Sequence, residues 1–382
     1  MEHLLNKRVL NIEISGIRKF SNMVSGVEDM ISLTIGQPDF QTPPHVKQAG
    51  IAAIEQDFTT YTHNAGYLEL RNAANNFVKH KYNLEYDPEK EVIVTVGASE
   101  AIDVSLRTIL AEGSEVILPG PIYPGYEPII RMTGGVPVHV DTRDSQFKLT
   151  AEKIEPYLTD KTRCIILPYP SNPTGVSLTE HDLKDIAKLL KGKDIFVIAD
   201  EIYSELVYEN KHYSIATDLR DQTIIINGLS KSHSMTGWRI GFLFAPENIS
   251  KHILKVHQYN VSCVSSISQM AALEALTNGY NDAEPMRIEY VKRRDFVCER
   301  LTKMGLEYVK PDGAFYFFVK IPEKYQMPSF DFAVDLAHTN KVAVVPGSAF
   351  SKFGEGYFRL SYACSMEKLS EGLNRLENYL KN

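Results

Sequence analysis

The sequence predicts an α/β fold: a large domain carrying a mostly parallel sheet between helices, followed by a smaller α+β domain. Three observations carry that prediction. Short β-branched runs recur along the chain, helical apolar spacing fills most of the gaps between them, and the pattern changes after about Met286. The runs are continuously apolar, which marks strands buried on both faces by flanking helices.

The runs come in order at Val92–Val96, Val116–Leu118, Cys164–Leu167, Ile195–Ile198, Thr223–Ile226 and Gly241–Phe244. Between the first two, Ile102, Leu106, Ile109 and Leu110 share one helical face, closed by Gly113. Beyond Met286 the spacing of Ile288, Val291, Leu301 and Met304 predicts a long amphipathic helix ended by Gly305. A strand over Ala314–Val319, a helix near Phe330–His338, a strand over Val342–Val345 and a last helix from Met366 complete the smaller unit. The division expected is an N-terminal arm over 1–44, a large domain over 45–285 and a small domain over 286–382, without repeats or low-complexity linkers.

Composition narrows the function. With 382 residues, 43% hydrophobic and 23% charged, the chain is long enough for a large core. A formal charge of −7 argues against a nucleic-acid backbone as partner, which would ask for a basic stripe. No apolar run reaches the length of a membrane span or a signal peptide, so a cytoplasmic protein is expected. Cys164, Cys263, Cys298 and Cys364 lack any Cys-x-x-Cys spacing and are read as reduced core thiols, with no metal site.

The most informative stretch runs from Gly228 to Gly241, Gly-Leu-Ser-Lys-Ser-His-Ser-Met-Thr-Gly-Trp-Arg-Ile-Gly. It sets Lys231 in a small-residue loop directly after a buried strand, with Arg239 downstream. An amine held away from water can be uncharged near neutral pH and then form a Schiff base with a carbonyl. Arg239 offers a planar fork of donors suited to a phosphate on that carbonyl compound. Together they suggest pyridoxal phosphate.

Other segments fall where such a cofactor needs them, beyond the carboxyl ends of the strands. Gly97-Ala98-Ser99 follows the first strand and opens a helix at Glu100, so its freed amides and the Ser99 hydroxyl can meet an anion; a plain N-cap is the alternative. The helix end offers about 1 kcal/mol and a charged hydrogen bond about 1.5–3, so several donors must act with Arg239. Asp200 ends its strand, where a carboxylate can pair with a protonated pyridine nitrogen; Tyr203, one helical turn on, could reach the ring's 3-oxygen. A helix cap and a half-buried aromatic are the alternatives for those two. Ser171-Asn172-Pro173-Thr174-Gly175, preceded by two further prolines, is a rigid turn able to fix the Asn172 side chain.

The segment Gly228–Gly241 resembles the cofactor-attachment pattern of the class-I, fold-type-I pyridoxal-phosphate aminotransferases, and the resemblance extends over essentially the whole chain. It implies a seven-stranded sheet, an N-terminal arm that returns to complete the small domain, and a homodimer. It gives Lys231 the cofactor, places Ser230 beside the phosphate, stacks Tyr123 of Pro121-Ile122-Tyr123-Pro124 on the ring, and brings Asn172 to the ring oxygen and substrate carboxylate. It makes Arg359, in Tyr357-Phe358-Arg359-Leu360-Ser361, the fork for the substrate α-carboxylate, assisted by the amide of Gly36. Tyr61 is similar to the tyrosine that crosses from the partner subunit to the phosphate. Where many relatives carry a phosphate-binding serine three residues before the lysine, this chain has Gly228, which leaves Ser230 and Ser99 to supply hydroxyls.

The reaction so implied is amino-group transfer between an L-amino acid, glutamate as donor, and a 2-oxo acid. Pro119–Tyr126, Pro168–Gly175 and Asn227–Pro246 are similar to the family's branch acting on N-acetyl-L,L-diaminopimelate in lysine biosynthesis. For such a substrate's distal carboxylate Arg18 or Lys19 is a candidate, against the plainer reading of a helix-start charge pair. A broad or aromatic aminotransferase is the runner-up. A C–S β-lyase and a cofactor-sensing module without catalysis are the readings from other classes.

Overall fold

The computed structural model describes residues 1–381. A seven-stranded sheet runs in the order Val92–Val96, Ile240–Phe244, Thr223–Gly228, Phe196–Asp200, Thr162–Leu167, Glu115–Gly120, Val136–Asp141. All neighbours are parallel except at Ile240–Phe244, which is antiparallel to both strands beside it. Its central strands are buried along their length, as their unbroken apolar runs require, and apolar clusters cover both faces.

The seventh strand, Val136–Asp141, has no counterpart among the sequence runs. It is an edge strand, half-exposed for most of its length, and Pro137 and His139 interrupt its apolar character. Two helix boundaries also move. The helix after the first strand starts at Gly97 instead of Glu100 and ends at Ile109, with Leu110 already extended. Gly113 lies beyond it at φ +77°. No helix follows Asp200; residues 202–205 form turns, so Tyr203 reaches the site from a turn.

The smaller unit holds a three-stranded antiparallel sheet in the order Val345–Pro346, Tyr357–Ser361, Tyr316–Lys320. Ile31–Ser32 of the arm pairs in parallel with Val342–Ala343, and Phe20, Val24 and Leu33 pack into the same core as Phe332, Leu369 and Leu373. The expected division at 44/45 falls at the start of helix Pro44–Glu55, and that at 285/286 falls inside the first turn of helix Ala283–Lys303.

Candidate active site

A cavity of about 490 Å³ opens where the carboxyl ends of the large sheet meet the arm and the small sheet. Its lining includes Gly36, Ala98, Ser99, Tyr123, Asn172, Asp200, Tyr203, Ser230, Lys231, Arg239 and Arg359. Those residues stand far apart in sequence, and the topology gathers them.

Lys231 lies in a four-residue helix, Leu229–Ser232, directly beyond its buried strand, and its Nζ donates to Gly36 O at 2.7 Å. Burial lowers its pKa to about 8, helped by Arg359 and Arg239 and opposed by Asp200. A useful fraction of neutral amine is therefore present near physiological pH.

Asp200 is buried at the end of its strand. Tyr126 donates to its Oδ2 at 2.6 Å and the Ile202 amide to its Oδ1 at 3.2 Å. Burial raises its pKa; the Tyr126 and Ile202 hydrogen bonds act against that rise. A carboxylate with donors but no cation against it gains from a protonated nitrogen at its free edge.

The anion end is built around Arg239. It sits at φ +57°, its Nη1 donates to Thr236 O at 2.9 Å, and a Cβ on Gly97 would lie 2.5 Å from its Nη2. Gly97, at φ +71°, thus lets the guanidinium approach the helix start, and it contributes no side chain to the lining. Ser99 makes no capping bond, so the plain N-cap alternative does not hold, and its side chain lines the cavity instead. Gly228 also has a packing reason: a Cβ there would meet Ile240 O at 2.9 Å and Gly241 Cα at 3.2 Å. Glycine keeps the neighbouring strand close, and hydroxyls come from Ser99 and Ser230.

Arg359 is 2% exposed, with Nη1 donating to Asn172 Oδ1 at 2.8 Å and Nη2 to Thr34 O at 2.6 Å. Its Nε has no partner. Burial acts against its charge, and no carboxylate offsets it. The cavity therefore sets the cations Lys231, Arg239 and Arg359 against the single carboxylate Asp200. That surplus and the orphaned Nε fit a ligand bearing a phosphate and a carboxylate.

Tyr123 and Tyr203 line the cavity as expected, Tyr203 bonded to Tyr316 at 2.9 Å between hydroxyls. Tyr61 is not brought to its own chain's cavity; it is 86% exposed. Arg18 is exposed, and Lys19 pairs with Glu13 at 2.7 Å outside this cavity. Tyr126 and Tyr316 were missed by sequence reasoning. All four cysteines are free thiols.

Residues 28–376 match the family of class I and II aminotransferases. The chain is 65% identical over 380 residues to the probable N-acetyl-LL-diaminopimelate aminotransferase of Bacillus subtilis, covering 100% of this chain and 96% of that one. It is 42% identical to aromatic-amino-acid aminotransferase 2 of Thermococcus litoralis, covering 99% and 98%. It superposes on the crystal structure of the aromatic aminotransferase from Pyrococcus horikoshii with a TM-score of 0.90 at 42% identity, covering 95% and 98%. The chain belongs to the class I and II aminotransferases. It is a pyridoxal-phosphate enzyme that exchanges amino groups between amino acids and 2-oxo acids.

Proposed function

We propose that this aminotransferase moves the amino group of glutamate to and from the keto acid of N-acetyl-L,L-diaminopimelate, in lysine biosynthesis. What supports the substrate is the 65% identity to a relative so named. What supports the chemistry is that Lys231, Asp200, Arg239 and Arg359 line one cavity and that the last three act on the Lys231 amine.

In this reading Arg239, Ser99, Ser230 and the amides of Gly97 and Ala98 hold the phosphate. Asp200 pairs with the ring nitrogen, Tyr203 and Asn172 meet the ring oxygen, and Tyr123 covers a ring face. Bound covalently through Lys231, pyridoxal phosphate supplies an electron sink at the substrate Cα and a carrier for the amino group. Arg359, with Asn172 and Gly36, clamps the α-carboxylate and orients the Cα–H bond. The Lys231 Nζ, once free and neutral, would move the proton at the substrate Cα, a role suited by a pKa that burial lowers to about 8. The large domain, 45–285, supplies the cofactor contacts; the arm, 1–44, and the small domain, 286–382, supply Gly36 and Arg359.

The same reading makes the enzyme a cytoplasmic homodimer. The 86% exposure of Tyr61 and the exposed Leu4, Leu5, Val9 and Leu10 of the arm support the dimer, and sedimentation at micromolar concentration tests that part. No helix among the described residues is long and apolar enough to cross a membrane.

The substrate test is a half-reaction screen of purified holoenzyme, following the change in bound-cofactor absorbance with single amino acids. Glutamate and N-acetyl-L,L-diaminopimelate should both convert the cofactor. Conversion by aromatic amino acids alone would overturn the assignment in favour of an aromatic aminotransferase. Release of pyruvate, ammonia and homocysteine from cystathionine would mark a lyase.

A further inference from the structure

Tyr316 opens the strand Tyr316–Lys320, is fully buried, and lines the active-site cavity, yet it has no role in the scheme above. Its position is unusual for what it touches. Its hydroxyl lies 2.9 Å from that of Tyr203, and the Arg359 guanidinium carbon stands 4.4 Å above its ring. A Cβ on Gly36 would lie 3.3 Å from the same hydroxyl. One side chain from the small sheet therefore touches both the arginine and the phenol.

The direction of the Tyr203–Tyr316 hydrogen bond decides what the bridge does. Either hydroxyl could donate in the pair taken alone. A phenol carries one proton, so a Tyr203 that donates to the ring oxygen, as in the proposed function, must accept from Tyr316 through its own oxygen. The Arg359 guanidinium over the Tyr316 ring favours build-up of negative charge on the Tyr316 oxygen and so strengthens it as that donor.

We propose that Tyr316 is a positioning residue that couples the carboxylate-binding arginine, Arg359, to the phenol at the cofactor ring, Tyr203, so that occupancy of the first adjusts the donor strength of the second. The proposal rests on the placement of Tyr203 at the ring oxygen and Arg359 at the α-carboxylate. A substrate carboxylate on Arg359 offsets the charge over the Tyr316 ring, weakens its hydroxyl as a donor, and so weakens Tyr203 in turn. The other charged or titratable groups facing this pair are Asp200, Lys231 and Tyr123.

The experiment titrates the visible absorbance of the bound cofactor in wild type, Tyr316→Phe, Tyr203→Phe and the double variant, each with and without saturating succinate. The ring oxygen carries more negative charge in the high-pH form, so a weaker donor moves the midpoint up. Tyr316→Phe should raise it by about 0.5–1 pH unit. Succinate should raise the wild-type midpoint and raise that of Tyr316→Phe by less than half as much. In the Tyr203→Phe background, Tyr316→Phe should add no further shift, a result that a general packing defect would not give. Equal succinate responses, or midpoint shifts that add in the double variant, would overturn the coupling. A Tyr203→Phe protein with the wild-type midpoint would instead refute the placement of Tyr203 and leave the fold of the site intact.

Discussion

Arg293 and Arg359 are both almost fully buried, and the molecule treats them in opposite ways. Arg293, on helix Ala283–Lys303, holds both oxygens of Asp39 at 2.8 and 2.9 Å and Glu289 at 3.2 Å, clasping the arm loop to the small domain. Arg359 meets only the neutral oxygens of Asn172 and Thr34, and one of its nitrogens has no partner. A buried guanidinium without a carboxylate is costly, and natural chains seldom keep one without use. The first arginine is neutralised by the fold; the second is completed by a ligand. The neighbouring carboxylates differ in where they face: Glu201 accepts from Ser214 outside the cavity, while Asp200 lines the cavity with no cation in ion-pair contact.

The sharpest way to break this contrast is to remove the one cavity cation that does covalent work. Lys231→Ala should lower the amino-exchange rate by more than about 10⁴-fold while retaining wild-type circular dichroism. A variant exchanging at the wild-type rate would refute the assignment of Lys231. Next in size are the two arginines themselves. Arg359→Gln should lower kcat/KM by about 10²–10³-fold, the loss expected for a charged two-bond contact, with stability within about 1 kcal/mol of wild type. Arg293→Met should do the reverse: about 2 kcal/mol lost in urea unfolding, because Asp39 is left part-buried without its partner, and kcat/KM within about threefold. Swapped outcomes would show that burial without a counter-ion does not mark a ligand site here.

The same contrast explains what could be read from the sequence. Lys231 and Arg239 were legible because a single continuous segment, Gly228–Gly241, carries both, and Asp200 because it ends an apolar strand. The central strands announced themselves because burial on both faces leaves an unbroken apolar run. Val136–Asp141 did not, since an edge strand mixes Pro137 and His139 into its pattern. Tyr126 and Tyr316 were hidden for another reason. Each looks locally like a core aromatic, one at a helix start and one within Phe315–Phe318, and only the tertiary fold brings their hydroxyls to Asp200 and Tyr203. Asp39 and Arg293, far apart in sequence, were invisible as a pair for the same reason.

A pH experiment tests the cavity side more gently. Lys231 titrates lower in the folded chain than in the unfolded one, about 8 against an ordinary value near 10.4. Between those values the unfolded apoprotein binds more protons, so stability must rise with pH across that window. Measured by urea unfolding from pH 8 to 10, the apoprotein should gain stability relative to Lys231→Met, whose side chain does not titrate. A constant difference over that range would show that the amine is not held in the dry setting that its reactivity requires.

The smallest expected effect lies at the surface. Lys19 and Glu13 form an exposed pair at 2.7 Å, and such pairs contribute little because water and salt already screen both charges. Lys19→Ala should therefore leave the urea-unfolding midpoint unchanged and leave KM for a dicarboxylic acceptor within about twofold. A tenfold rise in that KM, with KM for a monocarboxylic acceptor unchanged, would move Lys19 from the class of Arg293 to that of Arg359. Its partner Glu13 would then be a placeholder that the substrate's distal carboxylate displaces.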